Sequence, residues 1–185
     1  MSKSKGNVIN PMDLIDVYGV DPVRYYLMRE MVLGQDANFT VESFNNRYNS
    51  DLANDFGNLL SRISTLINKN FNGIIPDISS YGVEESKIEK HAEQLIIKYD
   101  DLMNRFLLNE AIEEIFQYIR SINRYFEHKA PWKLVKKDLS DAATVLYVGS
   151  QALIICSMLL HPIMPNRVKK LLDVFNVKSI DKTWG

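Results

Sequence analysis

Asn58 and Arg62 stand four residues apart in a run whose apolar residues recur at helical spacing. An amide and a guanidinium therefore project from one helix face, about 40° apart around the axis. Together they offer planar donor and acceptor edges, the chemistry needed to read the Watson–Crick edge of an unstacked base. Trp132 could supply the flat face of such a reader. It follows Ala130 and Pro131 inside the one dense basic stretch, near Arg120, Arg124, His128, Lys129, Lys133, Lys136 and Lys137. Stacking a base on such a ring contributes about 1–3 kcal/mol, and the cations would favour backbone phosphates. A tryptophan packed at a helix junction among solvated lysines fits the same residues. A third group is the opening run Met1, Ser2, Lys3, Ser4, Lys5, Gly6 and Asn7. Lysine is a compact, mobile cation that can follow charge developing on a phosphate, and glycine lets the backbone bend close to it. A solvated terminus fits this run equally well, and the spaced glycines of a P-loop are missing.

Other chemistries find little support. His91, His128 and His161 have no partners at metal-ligand spacing, and Cys156 sits in an apolar run. No metal site is expected. Glu84 with Glu85 and Glu113 with Glu114 read as solvated helix faces, and spacing assembles no nucleophile, base and orienter. With 185 residues and 46% apolar content, the chain can bury one sizeable core plus a small appendage. One cysteine cannot form an internal disulfide, and the longest apolar run, Ala152 to Leu160, is about half of a membrane-spanning helix. A cytoplasmic protein without a membrane partner is expected. The net charge of -1 gives no global support for a nucleic-acid partner, so such a contact requires a local patch.

The elements that must position these residues are helical. Pro11 starts a short helix through Tyr18 that Gly19 ends, and Asp21 with Pro22 suits the start of a second. Gly34 to Phe39 reads as a turn or short extended piece, and Thr40 caps a long helix. That helix, Val41 to Phe71, carries one continuous apolar stripe through Phe44, Tyr48, Leu52, Phe56, Leu59, Ile63 and Ile67, with the polar file Asn54, Asn58, Arg62, Thr65 and Lys69 beside it. Gly73 to Gly82 forms a loop. Helical spacing resumes over Ile88 to Phe106, Ala111 to Phe126, Ser140 to Leu160 and Asn166 to Phe175. Long helices with short connections predict an all-α antiparallel bundle around the Val41 to Phe71 helix, with residues 1–39 as a smaller unit able to include a short strand.

Several stretches resemble the methionyl-tRNA synthetase family of class I aminoacyl-tRNA synthetases. Met1 to Ser4 is similar to the end of the Lys-Met-Ser-Lys-Ser signature, and Lys5 to Ile9 continues it. Sister synthetases share that loop and Tyr18-Gly19-Val20-Asp21. The run RYYLMREMVLGQDANF, Arg24 to Phe39, is closer to the methionine enzyme, as are DLANDFGNLLSR, Asp51 to Arg62, and YFEHKAPW, Tyr125 to Trp132.

The resemblance implies that Asn58, Arg62 and Trp132 recognise the CAU anticodon, with the tryptophan stacking near its first base. It implies that Lys3 is the mobile lysine that stabilises charge when methionine attacks the α-phosphate of ATP, with Met1, Ser2 and Ser4 in the same ATP loop. It further implies a C-terminal fragment: residues 1–39 as loop end and stem-contact connector, and 40–185 as the anticodon-binding bundle. The parent enzyme would ligate methionine to tRNA(Met) with ATP and Mg. The fragment, without the catalytic domain as its partner, would be inactive, free of cofactor and monomeric. The same module from an isoleucine, valine, leucine or cysteine enzyme, and a helical protein-interaction bundle, are the alternatives.

Overall fold

A computed structural model of the chain describes residues 11–32, 34–35, 39–78 and 81–177. Among these residues the chain is helical and contains no strand; the short strand allowed for in residues 1–39 is absent from the part of that stretch the structure describes. The elements run α1 (Pro11–Tyr18), α2 (Val20–Glu30), α3 (Val41–Arg47), a π-helical segment (Tyr48–Gly57), α4 (Asn58–Asn70), α5 (Val83–Asn104), α6 (Leu108–Lys129), α7 (Pro131–Leu134), α8 (Leu139–Leu160) and α9 (Pro165–Val174).

The bundle is built on α6, whose Ile112, Ile115, Phe116, Ile119, Ile122 and Phe126 are at most 1% exposed. Helix α5 runs antiparallel to it. Lys98 meets Glu114 near one end, while Glu85 meets Tyr125 and Glu84 meets His128 near the other. Helix α8 is long and apolar enough to cross a membrane, but 67% of its most apolar window is buried inside the protein. It is a core helix. Gly149 lets it approach α4 closely, since a Cβ there would lie 2.6 Å from the Ile63 side chain.

The expected stripe from Val41 to Phe71 divides in two. Phe44 packs with Leu14, Val23 and Tyr26 in a small separate cluster, whereas Leu59, Ile63 and Ile67 join the main core. Between them lies the π segment, in which Asp51 is the one fully buried residue. Its carboxylate accepts a 2.6 Å hydrogen bond from the Tyr25 hydroxyl, and Ser50 donates to it at 2.8 Å. Gly57 makes the i→i+5 geometry possible at the end of the segment. A Cβ at that position would lie 2.9 Å from the Leu52 carbonyl oxygen.

Thr40 caps α3 as its sequence suggests, accepting from the Ser43 amide at 3.0 Å. Asp21 does not cap its own helix. Gly19 occupies that position without a side-chain cap, and the buried Asp21 carboxylate instead accepts from the Arg167 amide at 2.7 Å and the Asn166 side chain at 3.1 Å. It therefore caps the first turn of α9. Three residues on, Arg24 donates to the carbonyls of Pro162 and Ile163 at 2.8 and 2.9 Å, polar groups left over where α8 ends.

Candidate nucleic-acid interface

Asn58 is the first residue of α4, and its amide still donates to the Ala53 carbonyl, five residues back. Its side chain is exposed, with Nδ2 3.5 Å from Asn54 Oδ1. Arg62 follows one turn later and is half-buried. Its guanidinium carbon lies 4.9 Å from the centre of the Phe126 ring and 5.1 Å from that of Trp132. The two rings are 6.1 Å apart at 53°, so the cation is held in the angle between them. Nη2 also makes a 2.7 Å ion pair with Glu127, which is 60% exposed.

Trp132 reaches this place because α6 ends abruptly. Ala130 takes up the left-handed conformation, φ 49° and ψ 59°, and its amide donates to the Phe126 carbonyl at 3.1 Å. Pro131 then opens α7 with φ already suited to a first turn. The ring is 36% exposed, neither a core tryptophan nor a free one. Lys133, Lys136 and Lys137 are exposed beyond it.

The structure thus joins Arg62 to Trp132, and sets Asn58 on the same helix one turn away with no hydrogen bond or ring contact to either. Glu127 and Phe126 complete the cluster and were not legible as site residues, because only the packing of α4 on α6 brings them to Arg62. The dense basic stretch is not one patch. Arg120 pairs with Asp55 and Glu113, and Lys129 pairs with Glu84 and Glu85. Met1, Ser2, Lys3 and Ser4 lie outside the described residues.

Chemically, Arg62 is pre-positioned rather than spent. A guanidinium carries five N–H donors, and Glu127 engages it through one nitrogen. The remaining donors, the Asn58 amide and the outer face of Trp132 form one surface with both hydrogen-bonding and stacking capacity.

The family profile for the anticodon binding domain of methionyl tRNA ligase matches residues 75–185, and that for class I tRNA synthetases (M) matches residues 1–64. The chain belongs to the methionyl-tRNA ligase family. It carries that family's anticodon-binding domain, in agreement with the resemblance read from YFEHKAPW, while DLANDFGNLLSR falls within the stretch matched by the class I tRNA synthetase (M) profile. The methionine–tRNA ligase of Caldanaerobacter subterraneus subsp. tengcongensis is 40% identical over 186 residues, covering 100% of this chain and 29% of its own length. That of Bacillus subtilis is 37% identical, covering 100% of this chain and 28% of its length. The crystal structure of Mycobacterium tuberculosis methionyl-tRNA synthetase bound by methionyl-adenylate superposes with a TM-score of 0.90 at 33% identity, over 94% of this chain and 35% of that one. The chain therefore spans about a third of the length of these ligases, and the all-α bundle is that of the methionyl-tRNA synthetase.

Proposed function

We propose that the Asn58, Arg62 and Trp132 surface reads the CAU anticodon of tRNA(Met), taking the first anticodon base on the Trp132 ring while Arg62 and Asn58 bond its edge. What carries this reading is the clamp on Arg62: stacked against Trp132 and tied to Glu127, the guanidinium is fixed in direction before any RNA arrives. Lys133, next to the ring and exposed, is the phosphate contact. Residues 1–39 act as loop end and stem-contact connector and 40–185 as the bundle. The second apolar cluster supports a separate small unit, although Phe44 and Tyr48 contribute to it from beyond residue 40.

For the parent enzyme the proposed activity is ligation of methionine to tRNA(Met) with ATP and Mg in the cytoplasm, a reading supported by the methionine–tRNA ligases this chain resembles, and the fragment itself is read as a monomer. Lys3 would meet the ATP phosphates once the remainder of the ligase presents a nucleotide. Methionine-dependent ATP–pyrophosphate exchange is accordingly expected from the whole ligase and not from the 185-residue chain.

Binding of a CAU stem-loop and of one with a changed first base, at two salt concentrations, tests the reader. Trp132→Ala should cost about 1–3 kcal/mol through lost stacking, and Arg62→Ala or Asn58→Ala should reduce discrimination at that base by a similar order. Lys133→Ala should weaken both RNAs alike and flatten the salt dependence. Discrimination unchanged in the Asn58, Arg62 and Trp132 variants would overturn the reading.

A further inference from the structure

Among the described residues, Arg124 is the one arginine with neither a hydrogen bond nor an ion pair; every other arginine there is engaged by a carboxylate or a backbone carbonyl. It is exposed on α6 and opens onto a cleft of about 350 Å³ between α5 and α6, which Lys87 and His91 enter from α5 and His128 from α6. Lys87 likewise has no ion-pair partner among the described residues. His91 stands edge-on to the Tyr118 ring, 5.0 Å between centres, which fixes its plane. Glu84 shares the cleft, but Lys129 binds it at 3.2 Å and the buried Glu85 at 3.0 Å. Two cations, Lys87 and Arg124, thus line the cleft beside a single carboxylate, Glu84, which Lys129 and His128 already engage, leaving both cations and the His91 imidazole without an ion-pair partner among the described residues.

The cleft adjoins the base reader. Glu127 reaches Arg62 of α4 while its neighbour His128 reaches Glu84 of α5, so the two sites occupy adjacent flanks of one helical turn. A guanidinium, an amine and ring N–H groups around an open space match the oxygens of a phosphodiester.

We propose that this cleft clamps a backbone phosphate of the RNA strand whose base is read at Trp132. The assignment rests on the anticodon reading for its ligand. It differs in what it contributes: affinity without sequence preference.

Arg124→Gln removes no hydrogen bond or ion pair, so its melting curve should match that of the unchanged protein. Against the CAU stem-loop and its changed-base counterpart it should bind roughly three- to tenfold more weakly, equally for both, and lower the slope of log K on log[salt] by about 0.7. Lys87→Gln should do the same. The imidazole ring-proton resonances of His91 and His128 should shift on addition of either RNA. If the unchanged protein prefers CAU, yet Arg124→Gln keeps the full salt slope and the two histidine signals stay in place, the cleft is not a phosphate site and the anticodon reading stands. If the slope flattens and the histidines shift while the unchanged protein shows no preference for CAU, the clamp holds and the anticodon reading falls. Neither effect would remove both.

Discussion

At the scale of single residues, Arg62 shows how an arginine can be fixed yet available. An exposed cation–π contact contributes about 0.5–1 kcal/mol and an exposed ion pair about 0.2–1 kcal/mol, so Glu127 holds the guanidinium weakly enough for a base or phosphate to compete. Glu127→Gln should therefore tighten binding of any anticodon stem-loop by up to about fivefold at low salt, as a titration against the unchanged protein would read. Glu85 behaves differently. Burial alone would raise its carboxyl, but hydrogen bonds from the Tyr125 hydroxyl at 2.8 Å and from Lys129 at 3.0 Å hold it below the usual glutamate range. A depressed carboxylate contributes stability that is complete above its unfolded value of about 4.3 and is lost as pH falls through the lower folded value. Glu85→Gln should cost about 1–3 kcal/mol near pH 7, and melting curves of variant and unchanged protein should converge as the pH drops below about 4. The chemistry of Asn58, Arg62 and Trp132 could be named from residue type and spacing. Their arrangement could not, since Arg62 and Trp132 belong to helices far apart in the chain and come into contact, beside Phe126 of α6, only in the folded protein.

At the scale of elements, the π segment explains why one apolar stripe became two clusters. Phe44, Tyr48, Leu52, Phe56 and Leu60 recur every four residues, a spacing that α- and π-helical turns both accommodate, so periodicity did not reveal the change. Gly57 was the available clue. Its φ of -66° is ordinary, and Ala would normally favour a helix there by about 1 kcal/mol. With the Leu52 oxygen 2.9 Å from the added carbon, Gly57→Ala should instead destabilise the protein by about 1–3 kcal/mol. It should also weaken anticodon discrimination by disturbing Asn58, the next residue. Denaturant melts and the two-RNA comparison test both parts; a stabilised variant would mean that the helix relaxes freely at this point. The Ala130 corner has a related logic. Its positive φ, followed by a proline, fixes where Trp132 emerges, so Gly or Asn should be tolerated at position 130 while Val or Ile should lower both stability and base preference.

At the scale of the whole molecule, the small unit is stitched to the bundle. Tyr25 meets Asp51, Arg29 pairs with Glu113, and Asp21 and Arg24 hold α9 and the end of α8. Asp21→Ala removes a cap, at about 1–2 kcal/mol, and should lower a single shared transition by roughly 2–8 °C. Helical circular dichroism and tryptophan fluorescence followed together should melt in step, whereas an early phase confined to one probe would show two independently folding units. Local signals could not predict this role, because Asp21 and Pro22 also form an acceptable start for their own helix. The stitch also bears on how the protein is made. Asp21 and the Arg167 amide it binds are 146 positions apart. At about 5–20 residues per second, roughly 7–30 s of synthesis separates them. Through that interval the newborn α2 carries a carboxylate and a guanidinium whose permanent partners do not yet exist, and these keep its inner face hydrated and its docking reversible until α9 leaves the ribosome.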